Sequence, residues 1–284
     1  MTRFVALSDG RDLAYEEYGD PDGSPVLSFH GGLSSRLDAA PADGAARDLG
    51  IRLISPDRPG MGRSTRDPDR TLLQWTDDVR ELCETIGVER FAVMGWSCGG
   101  PYAAVCAARL PERVTAVALL ASAIPLDQYG TTKGLTSDDR LLLFLVRWAP
   151  RVATGLMRFT IANASEQRIY EVIRHSFPAP DRASLEERGS AAEAVAFVKE
   201  SMRNGTGGCL DDYRIFGAPW GFALEEVAAP VHIWEGTEDH TGPSDYRDFL
   251  AAHLPDAHVH LVPGEGHLSL LPHHAREILK HLVR

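Results

Sequence analysis

Cysteine is scarce: the 284-residue chain has four, Cys83, Cys98, Cys106 and Cys209, and no two stand in a CxxC spacing. That argues against both a disulfide framework and a zinc site, and it leaves Cys83 and Cys106 as small core residues on helices. Long hydrophobic runs are also missing. No stretch approaches the roughly 18 uncharged apolar residues of a membrane span, and the opening MTRFVALSDGRDLAYEEYG lacks the apolar region of a signal peptide. A cytoplasmic protein without membrane contact is expected. Positive charge is short as well, with 29 Lys and Arg against 40 Asp and Glu and a formal net charge of -11. Without a Lys/Arg cluster such a surface repels a phosphate backbone, so nucleic acid is not an expected partner. There is no internal repeat and no low-complexity tract. What remains, 44% hydrophobic and 24% charged residues, is the make-up of a packed globular protein of unspecified oligomeric state.

Short β-rich runs alternate with amphipathic helices up to about residue 122, the rhythm of an α/β fold with a mostly parallel sheet and helices on both faces. Residues 3–7 and 12–18, joined at Ser8-Asp9-Gly10, predict an antiparallel hairpin. Val26-Leu27-Ser28-Phe29, a helix over 37–49 ended by Gly50, and Ile51-Arg52-Leu53-Ile54 make a strand, helix, strand unit. Over 71–86, Leu72, Trp75, Val79, Leu82 and Ile86 recur at steps of three and four and mark one helix face. Phe91-Ala92-Val93-Met94 reads as a buried strand, 98–109 as an alanine-rich helix and 114–121 as the next strand.

Between about 125 and 226 only helical patterning is found, at 138–149, 151–161, 165–175, 183–189 and 191–203. Strand character resumes at Val231-His232-Ile233-Trp234 and at 257–262, with a helix near 244–253 between them and a last one over 273–282. The division predicted is a core of residues 1–124 and 227–284 with a helical cap, residues 125–226, inserted into it. Glycine-rich Asn204-Gly205-Thr206-Gly207-Gly208 is expected to be the most mobile segment, because its backbone has the most freedom.

Chemistry concentrates at Gly95-Trp96-Ser97-Cys98-Gly99-Gly100, a G-x-S-x-G directly after an apolar strand and directly before a helix. A serine on such a sharp turn adopts a strained conformation, and its neighbours must be small for the helix to pack and the hydroxyl to project. The helix start also puts the Cys98 N–H where it can donate to a developing oxyanion. Serine is a weak nucleophile at neutral pH and needs a base, itself held in the right tautomer by an acid.

Of eleven histidines, His267 in Pro263-Gly264-Glu265-Gly266-His267 follows the last strand and is best placed as that base. His30 precedes two glycines and takes a structural role. His232, His258 and His260 lie in strands and read as packing residues, and His253, His273, His274 and His281 read as solvated helix positions. Asp239, in Gly236-Thr237-Glu238-Asp239, follows the penultimate strand and gives the chain order Ser, Asp, His. Glu238 and Asp127 remain alternatives for the acid. His30-Gly31-Gly32-Leu33 follows a strand, and its backbone offers a second oxyanion donor at Gly32, with Leu33 as the alternative.

With these segments, together with Asp57-Arg58-Pro59-Gly60-Met61-Gly62-Arg63-Ser64 and the Pro101-Tyr102 that follows the serine motif, the chain resembles the α/β-hydrolase superfamily over nearly its whole length, in the manner of a capped serine esterase. The resemblance implies an eight-stranded sheet, a helical cap and a Ser-His-Asp triad, with Asp57 and Arg58 fixing a turn. Cys98 is a mild departure that leaves its backbone donor intact.

The expected activity is hydrolysis of an ester, lactone or thioester of a small molecule through an acyl-serine, needing no metal or organic cofactor. Cofactor-free lyase or C–C bond chemistry on the same scaffold is the alternative. A non-catalytic binder is disfavoured because all three triad positions are filled. Leu141, Leu142, Phe144, Leu145, Trp148, Leu156, Met157 and Phe159 of the cap have the spacing of internal packing, with lining of an acyl pocket as the other reading.

Overall fold

Period-two alternation along the inner strands sorts their side chains onto two faces, and each face has its own helices. The computed structural model describes residues 1–130, 132, 135–242 and 245–283. Its strands are β1 (Arg3–Ala6), β2 (Asp12–Gly19), β3 (Ser24–Phe29), β4 (Ile51–Pro56), β5 (Phe91–Trp96), β6 (Val114–Leu120), β7 (Val231–Gly236) and β8 (Ala257–Val262). They form one eight-stranded sheet in the order β1-β2-β4-β3-β5-β6-β7-β8. β2 runs antiparallel to β1 and to β4, and every other pairing is parallel. The mostly parallel α/β architecture expected from the sequence is what is found.

Leu27, Phe29, Val93, Val117, Leu119 and Ile233 point to one face and are buried with Trp75, Val79, Leu82, Ala103, Ala107 and Leu250. These come from α2 (Trp75–Thr85), α3 (Gly100–Arg109) and α12 (Asp245–His253), after α1 (Asp43–Asp48) on the other side. Val26, Leu53, Ala92, Met94, Ala118 and Leu120 point the opposite way, against Ala46 of α1 and Ala275, Ile278 and Leu279 of the final helix α13 (Leu270–Leu282). Burial on both sides explains why β5 reads as a continuous apolar run. Cys83 and Cys106 are buried in the first cluster, as expected. The helix expected near 244–253 is seen from Asp245; Ser244 lies outside the described residues.

Between β6 and β7 the described residues contain helices and no strand: α4 (Leu126–Tyr129), α5 (Ser137–Trp148), α6 (Pro150–Met157), α7 (Glu166–Ser176), α8 (Ala179–Glu187), α9 (Ala191–Ala194), α10 (Ala196–Ser201) and α11 (Gly207–Phe216). Among the described residues no helix is long and apolar enough to cross a membrane.

Two sequence expectations change here. Helix α11 was not expected, because its first two residues, Gly207 and Gly208, belong to the glycine-rich stretch read as mobile. A Cβ at Gly208 would strike the carbonyl of Gly60, so glycine at 208 serves close approach of two backbones. The apolar residues of α5 and α6 also divide. Phe144 and Trp148 of α5 are 59% and 66% exposed, and Phe159, in the turn after α6, is 74% exposed, which removes all three from internal packing. Leu142, Leu145 and Met157 instead pack with Met61 and Leu33.

A buried charge network ties this helical segment to the sheet. Asp212 of α11 accepts from Arg58 Nε at 2.9 Å and Tyr102 Oη at 2.8 Å, and forms an ion pair with Arg70. Arg58 continues the network by donating to the backbone carbonyls of His30 and, at 2.8 Å, Gly31. Burial of Asp212 opposes its ionisation, but the two guanidinium groups outweigh it and hold the carboxyl well below the usual range.

Candidate active site

Parallel strands end on the same edge of the sheet, so segments distant in sequence meet there, as ligand sites of open α/β sheets do. His30 follows β3, Ser97 follows β5, Ala121 follows β6, and the loops after β7 and β8 bring Asp239 and His267.

Ser97 has φ 54 and opens a single 3-10 turn, Ser97–Gly99, that leads into α3. Sterics make this possible: a Cβ at Gly95 would meet the Gly99 carbonyl, and one at Gly99 would meet the Phe29 carbonyl. Leu33 at φ 49 and Ala121 at φ 46 are the other non-glycine residues with positive φ among those described. All three stand just after strand ends on this edge. Such strain persists where surrounding structure enforces it, which is typical of functional sites. Ala121 N–H donates to the Trp234 carbonyl at 2.8 Å and Ala123 N–H to the Ser97 carbonyl at 3.0 Å.

His267 is 7% exposed, and its Nδ1 lies 2.7 Å from Asp239 Oδ2. Thr241, two residues after Asp239, donates from its backbone N–H (2.9 Å) and hydroxyl (2.6 Å) to Asp239 Oδ1. Its hydroxyl also lies 2.8 Å from His267 Nδ1. This arrangement assigns the ring proton to Nδ1, where Asp239 and Thr241 share it, and leaves Nε2 with a lone pair. Burial alone would push the imidazolium down, but the charge and hydrogen bond of Asp239 outweigh it, so His267 holds its proton more tightly than usual. Burial would raise Asp239; His267 and Thr241 reverse that and bring it down to about 2. Glu238 and Asp127, the alternative acids, are exposed.

Trp96 links the serine turn to the histidine loop. Its indole N–H donates to the His267 carbonyl at 3.0 Å, and its ring centroid lies 5.3 Å from that of His267. Phe177, preceding α8, lies 6.2 Å away from the same imidazole.

The loop after β3 meets the start of α3 directly: a Cβ at Gly32 would lie 3.1 Å from Cys98 Sγ. Asp38 shapes this loop by accepting from Gly31 N–H at 3.0 Å and Ser34 Oγ at 2.9 Å. Gly31 N–H is thereby used, and Gly32 is the loop residue that lies against Cys98. Burial pushes the Cys98 thiol up to about 12, so it stays protonated at neutral pH and is not a competing nucleophile. His30 accepts from Arg58 N–H through Nε2 at 3.1 Å and donates through Nδ1 to the Gly31 carbonyl at 3.0 Å. Its burial keeps it neutral, in keeping with a structural role. Asp57 fixes its turn by accepting from Arg36 N–H at 2.8 Å and Arg63 N–H at 2.9 Å.

The sequence reading missed Asp181. This α8 residue is fully buried and accepts from three consecutive backbone N–H groups, those of His267 (3.0 Å), Leu268 (2.8 Å) and Ser269 (2.9 Å). It thus pins the loop that leads into α13 from another part of the chain, with its negative charge just ahead of the helix N-terminus. Eighty-six residues separate it from His267, so no local pattern announces it. Thr241 was more accessible, since Asp-x-Thr is a common self-capping turn.

Residues 24–274 match the family described as alpha/beta hydrolase fold. The chain is 27% identical over 259 residues to the pimeloyl-[acyl-carrier protein] methyl ester esterase of Nitrosomonas europaea, an alignment covering 88% of this chain and 91% of that protein. A 128-residue stretch is 36% identical to the bifunctional esterase/perhydrolase of Acinetobacter calcoaceticus, covering 43% of this chain and 45% of that protein. The backbone matches an esterase from Exiguobacterium antarcticum with a TM-score of 0.74, covering 100% of both chains at 16% identity, a likeness of fold alone. With the family match running through both halves of the sheet and the segment between them, the chain belongs to the α/β hydrolase fold family.

Proposed function

We propose that the protein is a serine hydrolase cleaving an ester, lactone or thioester of a small organic molecule, with Ser97 as nucleophile, His267 as base and Asp239 as the acid behind it. The observation that carries this reading is the buried 2.7 Å pair of Asp239 with His267, on the same sheet edge as a serine held at positive φ. Kinship with proteins named as esterases supports ester-type substrates.

In this mechanism Ser97 Oγ attacks the substrate carbonyl carbon and its proton passes to His267 Nε2. The negative oxygen is held by Cys98 N–H and by Gly32 N–H, or Leu33 N–H in its place. Collapse of the intermediate breaks the bond to the leaving group, which takes the proton from His267. Water then gives a proton to Nε2 and attacks the acyl carbon, and collapse of this second intermediate returns that proton to Ser97 Oγ and releases the acid. Asp239 keeps its charge throughout and stabilises the transient imidazolium. Trapping decides the chemistry: incubation with a slow p-nitrophenyl ester should give a burst of product and an acyl group on Ser97 by mass spectrometry. Turnover of esters with neither burst nor adduct would favour lyase or C–C bond chemistry.

A base must be unprotonated, so kcat/KM should rise with pH and level off above the pKa of His267. Since that pKa is raised, the acid limb is expected above the usual histidine value of about 6.5. Asp239, Asp181 and Asp139 all push it upward, while burial opposes them. Glu235, itself pushed up to about 7 by burial, titrates nearby.

Asp181 acts as a positioning residue, holding the backbone of the base. Asp181→Asn removes a negative charge near His267, so the acid limb should move to lower pH while kcat falls about tenfold or more and KM changes little. An unchanged pH profile with wild-type kcat would reduce Asp181 to a packing role.

Residues 125–226 we read as a cap that selects substrates. Leu145→Ala and Met157→Ala, next to Leu33, should shift preference along a series of p-nitrophenyl esters while Ser97 still labels with a fluorophosphonate. Trp148→Ala and Phe159→Ala, which face outward, should not. Identical selectivity in all four would assign specificity to the sheet-edge loops.

A further inference from the structure

At the opposite edge of the sheet, where the parallel strands begin, the fold gathers histidines that the sequence assigned to packing or to solvent. His232 on β7 and His260 on β8 lie on one sheet face, and His281 reaches them from the last turn of α13. The ring centroids of His281 lie 4.9 Å from His232 and 4.8 Å from His260. His281 is therefore not a solvated helix position. One nitrogen from each of the three side chains falls within 4.8 Å of the other two, and His232 Nδ1 lies 3.0 Å from His260 Nε2. All three line a cleft of about 670 Å³ that also includes Arg90 and His258.

We propose that His232, His260 and His281 form a three-imidazole site for a borderline divalent transition metal such as Zn²⁺, Co²⁺ or Ni²⁺, with water completing four-coordination.

Three features of the cluster fit that ligand. Tetrahedral coordination at 2.0–2.1 Å needs donor nitrogens about 3.4 Å apart, so the His232–His260 pair is already close to it and His281 needs only a side-chain adjustment. His281 Nδ1–H donates to the Glu277 carbonyl at 2.8 Å, which leaves Nε2 with its lone pair and fixes the ring, the usual support for a ligating histidine. His260 stacks on Trp234 with ring centroids 4.1 Å apart, which holds its imidazole against the sheet face beside His232. The 3.0 Å contact between His232 Nδ1 and His260 Nε2 requires a proton on one of these nitrogens. Ligation moves it to the other nitrogen of the same ring, so a neutral site takes up the ion without net proton release. A set of imidazoles with no carboxylate selects against Mg²⁺ and Ca²⁺. The ion would be held by coordination rather than by charge, since Arg90 also lines the cleft.

The site is separate from the hydrolytic centre. His232 to the end of β7 is four residues, roughly 13 Å at about 3.3 Å per residue, and Asp239 lies beyond that end. The metal would join β7, β8 and the C-terminal end of α13, the helix that follows the His267 loop.

Calorimetric titration of the chelator-treated full chain with Zn²⁺ tests this. One equivalent should bind, and His281→Phe and His260→Phe, which keep an aromatic ring for stacking, should weaken it at least about tenfold. His175→Ala, on an exposed cap position, should leave it unchanged. Co²⁺ should give the intense visible bands of a four-coordinate site in the wild type and not in His281→Phe. Zn²⁺ should raise the thermal midpoint of the wild type alone. Circular dichroism establishes that each variant is folded. Equal zinc affinity in folded wild type, His281→Phe and His260→Phe, or no binding by the wild type, would show the cluster to be a ring stack only.

Discussion

Ser97→Ala is expected to abolish covalent labelling by a fluorophosphonate and to lower kcat by about 10⁶-fold, the scale reached when the nucleophile of a cooperating triad is removed. The loss should be nearly complete because, in the proposed mechanism, His267 and Asp239 act only through the serine oxygen. What survives comes from the oxyanion donors and from binding. The fold should tolerate the change: alanine already occupies a comparable backbone conformation at Ala121, with φ 46. Unchanged thermal stability beside lost labelling would therefore isolate chemistry from structure. Labelling that persists in Ser97→Ala places the nucleophile elsewhere.

The second large effect belongs to Asp239→Asn. An asparagine can keep the contact to His267 Nδ1 but offers an amide in place of a charge, and either ring tautomer then suffices. The imidazolium formed in the transition state loses its counter-charge, and the wrong tautomer removes the lone pair from Nε2. A fall of about 10⁴-fold in kcat is expected. The acid limb of the pH profile should also move downward, since Asp239 is the largest contribution holding the His267 pKa up against burial. Asp127→Asn, on an exposed turn of α4, should stay close to wild type. Reversal of this ranking would move the acid to the end of β6.

Much of this architecture was legible because its signals are local. The apolar run of β5, the glycines around Ser97 and the chain order of Asp239 and His267 each express a constraint that acts within a few residues. What was missed is long-range. Asp181 reads as an ordinary helix acid until folding brings it under the His267 backbone, and Asp212 reads as one charge among many until Arg58 and Arg70 enclose it. Helical spacing identified α5 but not which side of it meets the core, so Trp148 and Leu145 looked equivalent. Gly208 was misread because freedom and close approach leave the same residue in the sequence. The histidines of β7, β8 and α13 suffered the same loss, since each position is unremarkable until the three elements stack.

The helical segment between β6 and β7 invites treatment as an exchangeable lid. Two of its acids argue otherwise. Asp212 forms ion pairs with two buried arginines, Arg58 and Arg70, that precede this segment in the chain, and Asp181 supplies the acceptor for three backbone N–H groups just ahead of α13. A chimera that grafts a foreign segment here would strand two guanidinium groups and free the histidine loop, failing as a folded protein before its selectivity could be assayed. Recombination is thus constrained to segments that bring both carboxylates with them, and an interface that looks like a convenient seam in the chain is where the two parts are least separable.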